Sequence, residues 1–266
     1  MSSKPNYWHV QNISEPLYSE LLWSRPENRA YAGKLVVIGG HAQSFAAPAQ
    51  VFNEALKAGA GTVRVVLPDI LQKVVGPVIE NGEFAASTPS GSFSHEALAE
   101  LLSISGWADG AILAGDLGRN SETAILLEKY ATKYPGQLTI TKDAVDYFTT
   151  TPEPILQRDN TCLVLSFSQL QALGKAAKYW TAFTFNMDLL RLAAVLHEFT
   201  SEYKLHIVVK HLDQIIVASN GEVSTTKLKT ELSIWRCHVA TYCAVWWLQN
   251  PGKPFQALTT AVSQAV

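Results

Sequence analysis

The stretch GGHAQSFAAPAQVFNEALKAGAGTVRVVLP, residues 39–68, decides the fold. It follows a short apolar run at residues 35–38, which ends at two glycines. Residues 48–57 carry apolar side chains at helical spacing, and Gly59 supplies the stop. Residues 62–67 are β-branched and apolar, as in a buried strand. A strand, a helix and a second strand in this order predict a parallel β-α-β unit.

The same alternation continues toward the C-terminus. Further strands are predicted at residues 111–113, 138–141 and 163–165. Further helices are predicted at residues 94–103, 121–133, 186–199 and 239–249, the third with Asn186 as its N-cap and Asp188 in its first turn. Residues 207–226 contain three strand-like segments, the last two joined by Asn220-Gly221, which is a strong hairpin signal. We therefore expect an α/β fold: a mainly parallel, doubly wound sheet with helices on both faces and an antiparallel hairpin extension near its C-terminal edge.

The composition excludes several classes of function. Of 266 residues, 17% are charged and the formal net charge is -2, so the chain lacks the basic surface that nucleic-acid binding needs. Its three cysteines form no CxxC, and the N-terminus has no apolar signal core, which favours the cytoplasm. The longest apolar stretch, residues 239–248, is shorter than the ~20 residues that span a bilayer. We expect neither a nucleic-acid nor a membrane partner.

Two regions differ in character. Residues 1–30 form an N-terminal arm rich in Pro, Asn, Ser and aromatic residues, and residues 31–266 form a single α/β domain. Trp8, Leu21 and Trp23 are apolar, so the arm is expected to pack on that domain.

Candidate ligand loops follow from the sheet, because ligands bind outside the carboxyl ends of parallel strands. Gly39-Gly40 could present backbone N–H groups to an anion, or could only turn the chain. Residues 115–119, GDLGR, could equally form a binding loop or only a turn. Asp143 and Asp146, just past a strand, could hold a metal or orient a hydroxyl, or could be solvated acids at a helix start.

Other chemistries have no support in the sequence. Neither GxxxxGK[ST] nor a complete GxGxxG is present, which argues against a P-loop and a dinucleotide fingerprint. The C-H-x4-C spacing of Cys237, His238 and Cys243 matches no zinc pattern, and G-x-S-x-G is absent. We predict no metal site within the protein and no serine-hydrolase triad.

Taken together, the loops resemble one family, the ADP/ATP-dependent NAD(P)H-hydrate dehydratases, whose fold is ribokinase-like. The resemblance covers residues 25–249 and is strongest in residues 38–68. The matching segments are Ile38-Gly39-Gly40, Ala47-Pro48, AGAGTVRV at 58–65, AGDLGR at 114–119, TKDAV at 141–145 and Val209-Lys210-His211.

The resemblance implies a cofactor-repair reaction. ATP or ADP, with Mg²⁺, would drive the dehydration of hydrated NADH or NADPH, through phosphoryl transfer to the hydroxyl of the damaged ring and loss of phosphate. Such an enzyme is a nucleotide-dependent hydro-lyase. On this basis the substrate-binding residues are assigned to Gly39, Gly40, Ala47, Gly118 and Asp143. The nucleotide-binding residues are assigned to Lys210 and Arg236.

The chain departs from the family where the chemistry should occur. The G-G-S-G-D motif, which supplies anion-binding amides and the catalytic Asp, falls on residues 233–237, SIWRC, so that Asp is replaced by Cys237. The family's His-containing T-P-H-P-G-E falls near residues 165–169, LSFSQ, and the H-K-G falls on residues 29–33, RAYAG. Asp116 adds a negative charge where the family has glycine. These substitutions predict a divergent member whose catalysis is impaired.

Three functions remain open from the sequence. The first is an impaired family member that binds a small-molecule nucleotide. The second is an active dehydratase or small-molecule kinase with a rebuilt site, in which Arg236 replaces the lost amides and Asp143 or Glu231 is the base. The third is a structural or partner-binding protein, in which Trp235, Trp246 and Trp247 could line an oligomer interface, although core packing is the more common use of tryptophan. A homo-oligomer is expected.

Overall fold

The computed structural model describes residues 5–79, 82–156, 158–229 and 235–266. Within them the strands form a ten-stranded sheet, ordered β1-β10-β9-β8-β7-β6-β5-β2-β3-β4. The strands are β1 (Trp8–Gln11), β2 (Lys34–Gly39), β3 (Thr62–Pro68), β4 (Gly82–Ala85), β5 (Gly110–Gly115), β6 (Gln137–Thr141), β7 (Thr161–Leu165), β8 (His206–His211), β9 (Gln214–Ser219) and β10 (Glu222–Lys227).

Seven strands, from β8 across to β4, run parallel to one another. β9 is antiparallel to both β8 and β10, which confirms the predicted hairpin extension. Its turn contains Asn220 and Gly221 at φ 50° and 80°, the left-handed values that a tight two-residue hairpin requires. β1 then pairs parallel to β10 at the sheet edge, so the N-terminal arm contributes a strand of its own.

Helices cover both faces of the sheet, as expected for a doubly wound fold. They are α1 (Glu20–Trp23), α2 (Ala46–Lys57), α3 (Gln72–Val75), α4 (Leu98–Gly106), α5 (Ser121–Lys133), α6 (Ala144–Phe148), α7 (Glu153–Leu156), α8 (Phe167–Ala176), α9 (Leu189–Glu202), α10 (Trp235–Gln249) and α11 (Pro254–Ala265). Helices α2, α10 and α11 pack into one apolar cluster, and α4, α5, α8 and α9 into the other. Within the described part of the chain, every helix is too short or too polar to cross a bilayer.

Helix α10 is a core element, which decides between the core and the interface for two of its tryptophans. Trp246 and Trp247 are 0% and 1% exposed, so they cannot line an oligomer interface. The Arg25 guanidinium lies 4.7 Å from the ring centre of Trp246, and Trp247 meets His206 edge-on. Trp23, in contrast, is 89% exposed, although its apolar ring suggested packing against the domain.

The start of α9 also differs from the expected one. The predicted helix began after Asn186, whereas the observed helix begins at Leu189 with Asp188 as its N-cap. The Asp188 carboxylate accepts the backbone N–H of Arg191 at 2.7 Å. Asp therefore caps the helix from outside it, and does not act as an acid within the first turn.

Replacing Asp188 with Ala should lower the free energy of unfolding by about 1 kcal/mol, because one N-terminal backbone N–H of α9 loses its acceptor. Asn186→Ala is the matched control, since Asn186 is also exposed but lies outside the helix. Its effect should stay within about 0.5 kcal/mol. Urea unfolding of both variants measures the difference, and an equal loss in both would contradict the assignment of the cap.

Candidate functional site

The loops that follow β2, β5 and β6 meet at the carboxyl edge of the sheet. Pairing of β2 with β5 ends in an irregularity at Ile38 and Gly39, where Gly39 comes opposite Gly115. An added Cβ on Gly39 would lie 2.6 Å from the carbonyl oxygen of Gly115, so only glycine fits. Gly40 then has φ 88° and donates its N–H to the same carbonyl at 3.0 Å. The two glycines therefore allow the end of β2 to lie close to the end of β5.

Asp116 lies at the centre of these loops. Its carboxylate accepts the Ser44 hydroxyl and the Ala47 backbone N–H, both at 2.8 Å, and the Lys142 ammonium at 2.8 Å. Partial burial alone would raise the pKa of Asp116, but the hydrogen bonds from Lys142, Ala47 and Ser44 outweigh it and hold that pKa below its usual value. The carboxylate is thus charged and bound at neutral pH.

This carboxylate caps α2 from another loop. The residue before α2, Phe45, gives no side-chain cap to its N-terminus. Asp116, 69 residues further along the chain, accepts the N–H of Ala47 instead. The arrangement is favourable because the N-terminus of a helix attracts negative charge.

Asp143 holds the Asp116 loop in position. Its two carboxylate oxygens accept the backbone N–H groups of Asp116 at 2.7 Å and of Leu117 at 2.9 Å. On the other side, Tyr147 donates its hydroxyl to the carbonyl of Gly118, which has φ 73°. Asp143 therefore orders a loop, and it is not merely a solvated acid at a helix start. Among the described residues, no three His, Cys, Asp or Glu side chains are grouped to hold a metal ion.

A cleft of about 680 Å³ opens beside this loop. Its walls come from the loop after β5, the start of α5 and the segment around α6. The lining residues are His41, Asp116, Gly118, Arg119, Asn120, Ser121, Ala124, Asp143, Asp146, Tyr147, Thr149 and Thr150. Two of the five assigned substrate-binding residues, Gly118 and Asp143, are among them. Gly39, Gly40 and Ala47 are buried outside the cleft wall, and the N–H of Ala47 is already bonded to Asp116.

Cys237 reaches the same cluster from α10. It is fully buried. Helix α10 begins at Trp235, so residues 235–237 are helical and do not form the glycine-rich turn of the family motif. Ser233, Ile234 and Glu231 lie outside the described residues. Burial is the main cause that raises the pKa of Cys237 to about 11, with the charges of Lys142 and Arg236 opposing the shift and those of Asp116 and Asp143 adding to it. The thiol is therefore protonated at neutral pH and is neither a base nor a nucleophile.

The two assigned nucleotide-binding residues lie at different points of this edge. Arg236 donates to the side-chain oxygen of Gln169 at 3.0 Å, and Gln169 donates in turn to Asp146 at 2.7 Å. Lys210 is half-buried near the carboxyl end of β8. Strands β7 and β6 separate β8 from β5, and three inter-strand spacings amount to about 14 Å. Arg236 thus lies on the cleft side of the edge, and Lys210 lies further along it.

Several residues of the site had no individual role assigned from the sequence, although three of them lie in predicted loops. Lys142, Gln169, His41 and Tyr147 acquire theirs through contacts between loops that are far apart in the chain. Gln169 had one local signal, because Ser166 and Gln169 form a capping box at the start of α8. His41 bonds through Nδ1 to the backbone carbonyl of Asp116 at 3.0 Å, a contact that no local pattern reveals.

No protein-family model and no curated protein sequence matches this chain. Solved structures do. A ribokinase-like superfamily protein from Enterococcus faecalis superposes with a TM-score of 0.70 at 15% identity, over 99% of this chain and 88% of that one. The ADP/ATP-dependent NAD(P)H-hydrate dehydratase of Bacillus subtilis, co-crystallised with ATP and Mg²⁺ and soaked with CoA, gives 0.61 at 12% identity, over 94% and 87%.

A phosphomethylpyrimidine kinase from Clostridium difficile gives a TM-score of 0.54 at 9% identity, over 86% of this chain and 96% of that one. These similarities extend over most of each chain at identities that show the fold alone. The neighbours include both kinases and a dehydratase, so they leave the reaction open. The chain has the ribokinase-like α/β fold.

Proposed function

We propose that the protein binds a small-molecule nucleotide at the carboxyl edge of its sheet and does not carry out nucleotide-driven dehydration of hydrated NADH or NADPH. One observation carries this proposal: Cys237, which the sequence resemblance aligns with the family's catalytic Asp, is a buried, protonated thiol. Loss of a positioned general base lowers a rate by about 10²–10⁴.

The nearby acids do not replace that base. The Asp143 oxygens accept two backbone N–H groups, and Asp116 is bonded to Ser44, Ala47 and Lys142. These contacts hold the pKa of Asp116 below its usual value, which makes it a weaker base, and both oxygens of Asp143 already face backbone donors. Both acids therefore serve to hold loops together.

Nucleotide binding is supported by two cations at the edge, Arg236 and Lys210. Guanidinium and ammonium groups suit phosphate oxygens. The B. subtilis dehydratase of the same fold was crystallised with ATP and Mg²⁺. Mg²⁺ would enter with the nucleotide and take its oxygens as ligands, because the described side chains supply no cluster of three ligands.

We expect ATP or ADP to raise the melting temperature of the protein, by roughly 5–10 °C at a hundredfold excess over Kd. Lys210→Ala and Arg236→Ala should reduce that shift, while Lys204→Ala, an exposed lysine just before β8, should leave it unchanged. The same samples, given hydrated NADH with ATP and Mg²⁺, should not regain the near-ultraviolet absorbance of reduced nicotinamide. Turnover would contradict the loss of catalysis, and the absence of any shift would contradict binding.

A small-molecule kinase with a rebuilt site is the second candidate. The Arg236–Gln169–Asp146 chain favours it, because it brings a cation and an acid together beside the cleft. The test is formation of ADP from ATP in the presence of a hydroxyl-bearing acceptor. Activity that requires the acceptor and is lost in Asp146→Asn, but not in the exposed control Asp159→Asn, would favour this candidate.

A further inference from the structure

The carboxylate of Asp116 is bound like a ligand anion. Its side chain is 13% exposed, and three donors surround it: a hydroxyl and a backbone N–H from the segment after β2, and an ammonium from the loop after β6. The backbone N–H belongs to the first turn of α2, a helix of 12 residues. Hydroxyl, amide and ammonium donors at the start of a helix are the usual set for a phosphate or carboxylate.

The anion at this point belongs to the chain itself. Asp116 has φ 55°, in the left-handed region that side chains other than glycine, asparagine and aspartate rarely adopt. Gly115 and Gly118 in the same loop also have positive φ. The loop thus has the backbone of a glycine-type turn, with a carboxylate attached at the residue that faces the donors.

We infer that Asp116 is a specificity-determining residue, a built-in anion that excludes phosphate and carboxylate groups from this end of the cleft. Ligands of the cleft must then present a hydroxyl, an amide or a cation beside Asp116, where the carboxylate can accept a hydrogen bond. Phosphates of a nucleotide are confined to the side of Lys210 and Arg236. This inference rests on the proposed function only in taking the cleft as a ligand site.

Removing the Asp116 carboxylate should allow an external anion to bind in its place. In Asp116→Gly the left-handed backbone is retained without strain, and Ser44, Ala47 and Lys142 are left facing a space of carboxylate size. Inorganic phosphate should therefore bind to this variant at least tenfold more tightly than to the unaltered protein. Isothermal titration and melting temperature, both at constant ionic strength with chloride as the balancing anion, measure the difference.

Two variants provide the controls. Asp116→Asn keeps the shape of the side chain and blocks the space with a neutral amide, so phosphate should bind no better than to the unaltered protein. Adding Lys142→Met to Asp116→Gly removes one donor and should weaken phosphate binding at least threefold. If Asp116→Gly does not fold, Asp116→Ser, with a shorter side chain at the same backbone, takes its place.

A folded Asp116→Gly or Asp116→Ser variant whose phosphate affinity equals that of the unaltered protein would overturn the inference. A response in Asp116→Asn as large as in Asp116→Gly would also overturn it, because the space would then not be what binds the anion. Neither result bears on nucleotide binding by the unaltered protein, which the ATP and ADP titrations test by themselves.

Discussion

Replacing Cys237 with Asp should lower the free energy of unfolding by about 3 kcal/mol or more at pH 7, and should not produce a dehydratase. The side chain is fully buried and close to two acids, Asp116 and Asp143, so an added carboxylate would lose hydration and meet like charge. The nearby cations offer little compensation. Lys142 is bonded to Asp116, and Arg236 is bonded to Gln169.

Cys237→Asn is the matched control, because it has nearly the same size and polarity as Asp but no charge. Burial and the two neighbouring acids should raise the pKa of the new carboxyl above the ~3.9 of an unfolded chain. A raised pKa means that the folded state binds more protons, so stability falls as pH rises through that window. The difference in the free energy of unfolding between Cys237→Asp and Cys237→Asn should therefore widen from pH 4 to pH 8. Urea unfolding of both variants across this range measures it.

Turnover is the second readout of this substitution. The proposed loss of catalysis includes the missing glycines as well as the missing acid, because residues 233–237, SIWRC, contain no glycine. A Cys237→Asp protein that is as stable as Cys237→Asn, and that dehydrates hydrated NADH with ATP, would show that the carboxylate alone was missing. The expectation that this substitution fails to produce a dehydratase would then be wrong, whereas the proposed loss of catalysis in the unaltered protein would stand.

The parallel part of the fold could be predicted because its signals are local. A buried parallel strand is a continuous apolar run, and helix α5 has its predicted bounds, Ser121–Lys133, with Asn120 as N-cap. Strand β1 could not be found in this way. Four residues, Trp8–Gln11, become a strand only because β10, more than 200 residues away, presents an edge.

The candidate site could be predicted only as a set of loops. The topology rule identified five strand ends, including residues 166–169 and the turn after Lys210, and the ends of β2, β5 and β6 do meet. The rule does not say which side chains bind one another. Asp116 was read from the sequence as an added charge, but its cap on α2 and its pair with Lys142 join loops that are 69 and 26 residues away.

Replacing Arg158 with Leu should lower the free energy of unfolding by about 3 kcal/mol, the second large effect. The guanidinium donates to the backbone carbonyls of Ala131, Tyr134 and Gly136 and to the hydroxyl of Thr161. These contacts join the C-terminus of α5 to the turn before β6 and to the start of β7. Leu would fill part of the volume but leave the three carbonyls without this donor.

The charge adds to the effect, because a cation at the end of α5 opposes the partial negative charge of the last carbonyls. Lys129→Leu is the control: it removes an exposed cation from the same helix and should change stability by less than about 0.5 kcal/mol. Arg158→Lys should lie between the two, because one ammonium cannot reproduce the planar fork that meets three carbonyls. In thermal unfolding, Arg158→Leu should lower the melting temperature by roughly 6–12 °C. Equal losses in Arg158→Lys and Arg158→Leu would mean that the geometry of the guanidinium matters more than its charge, and no loss in either would show that these carbonyls are satisfied by water.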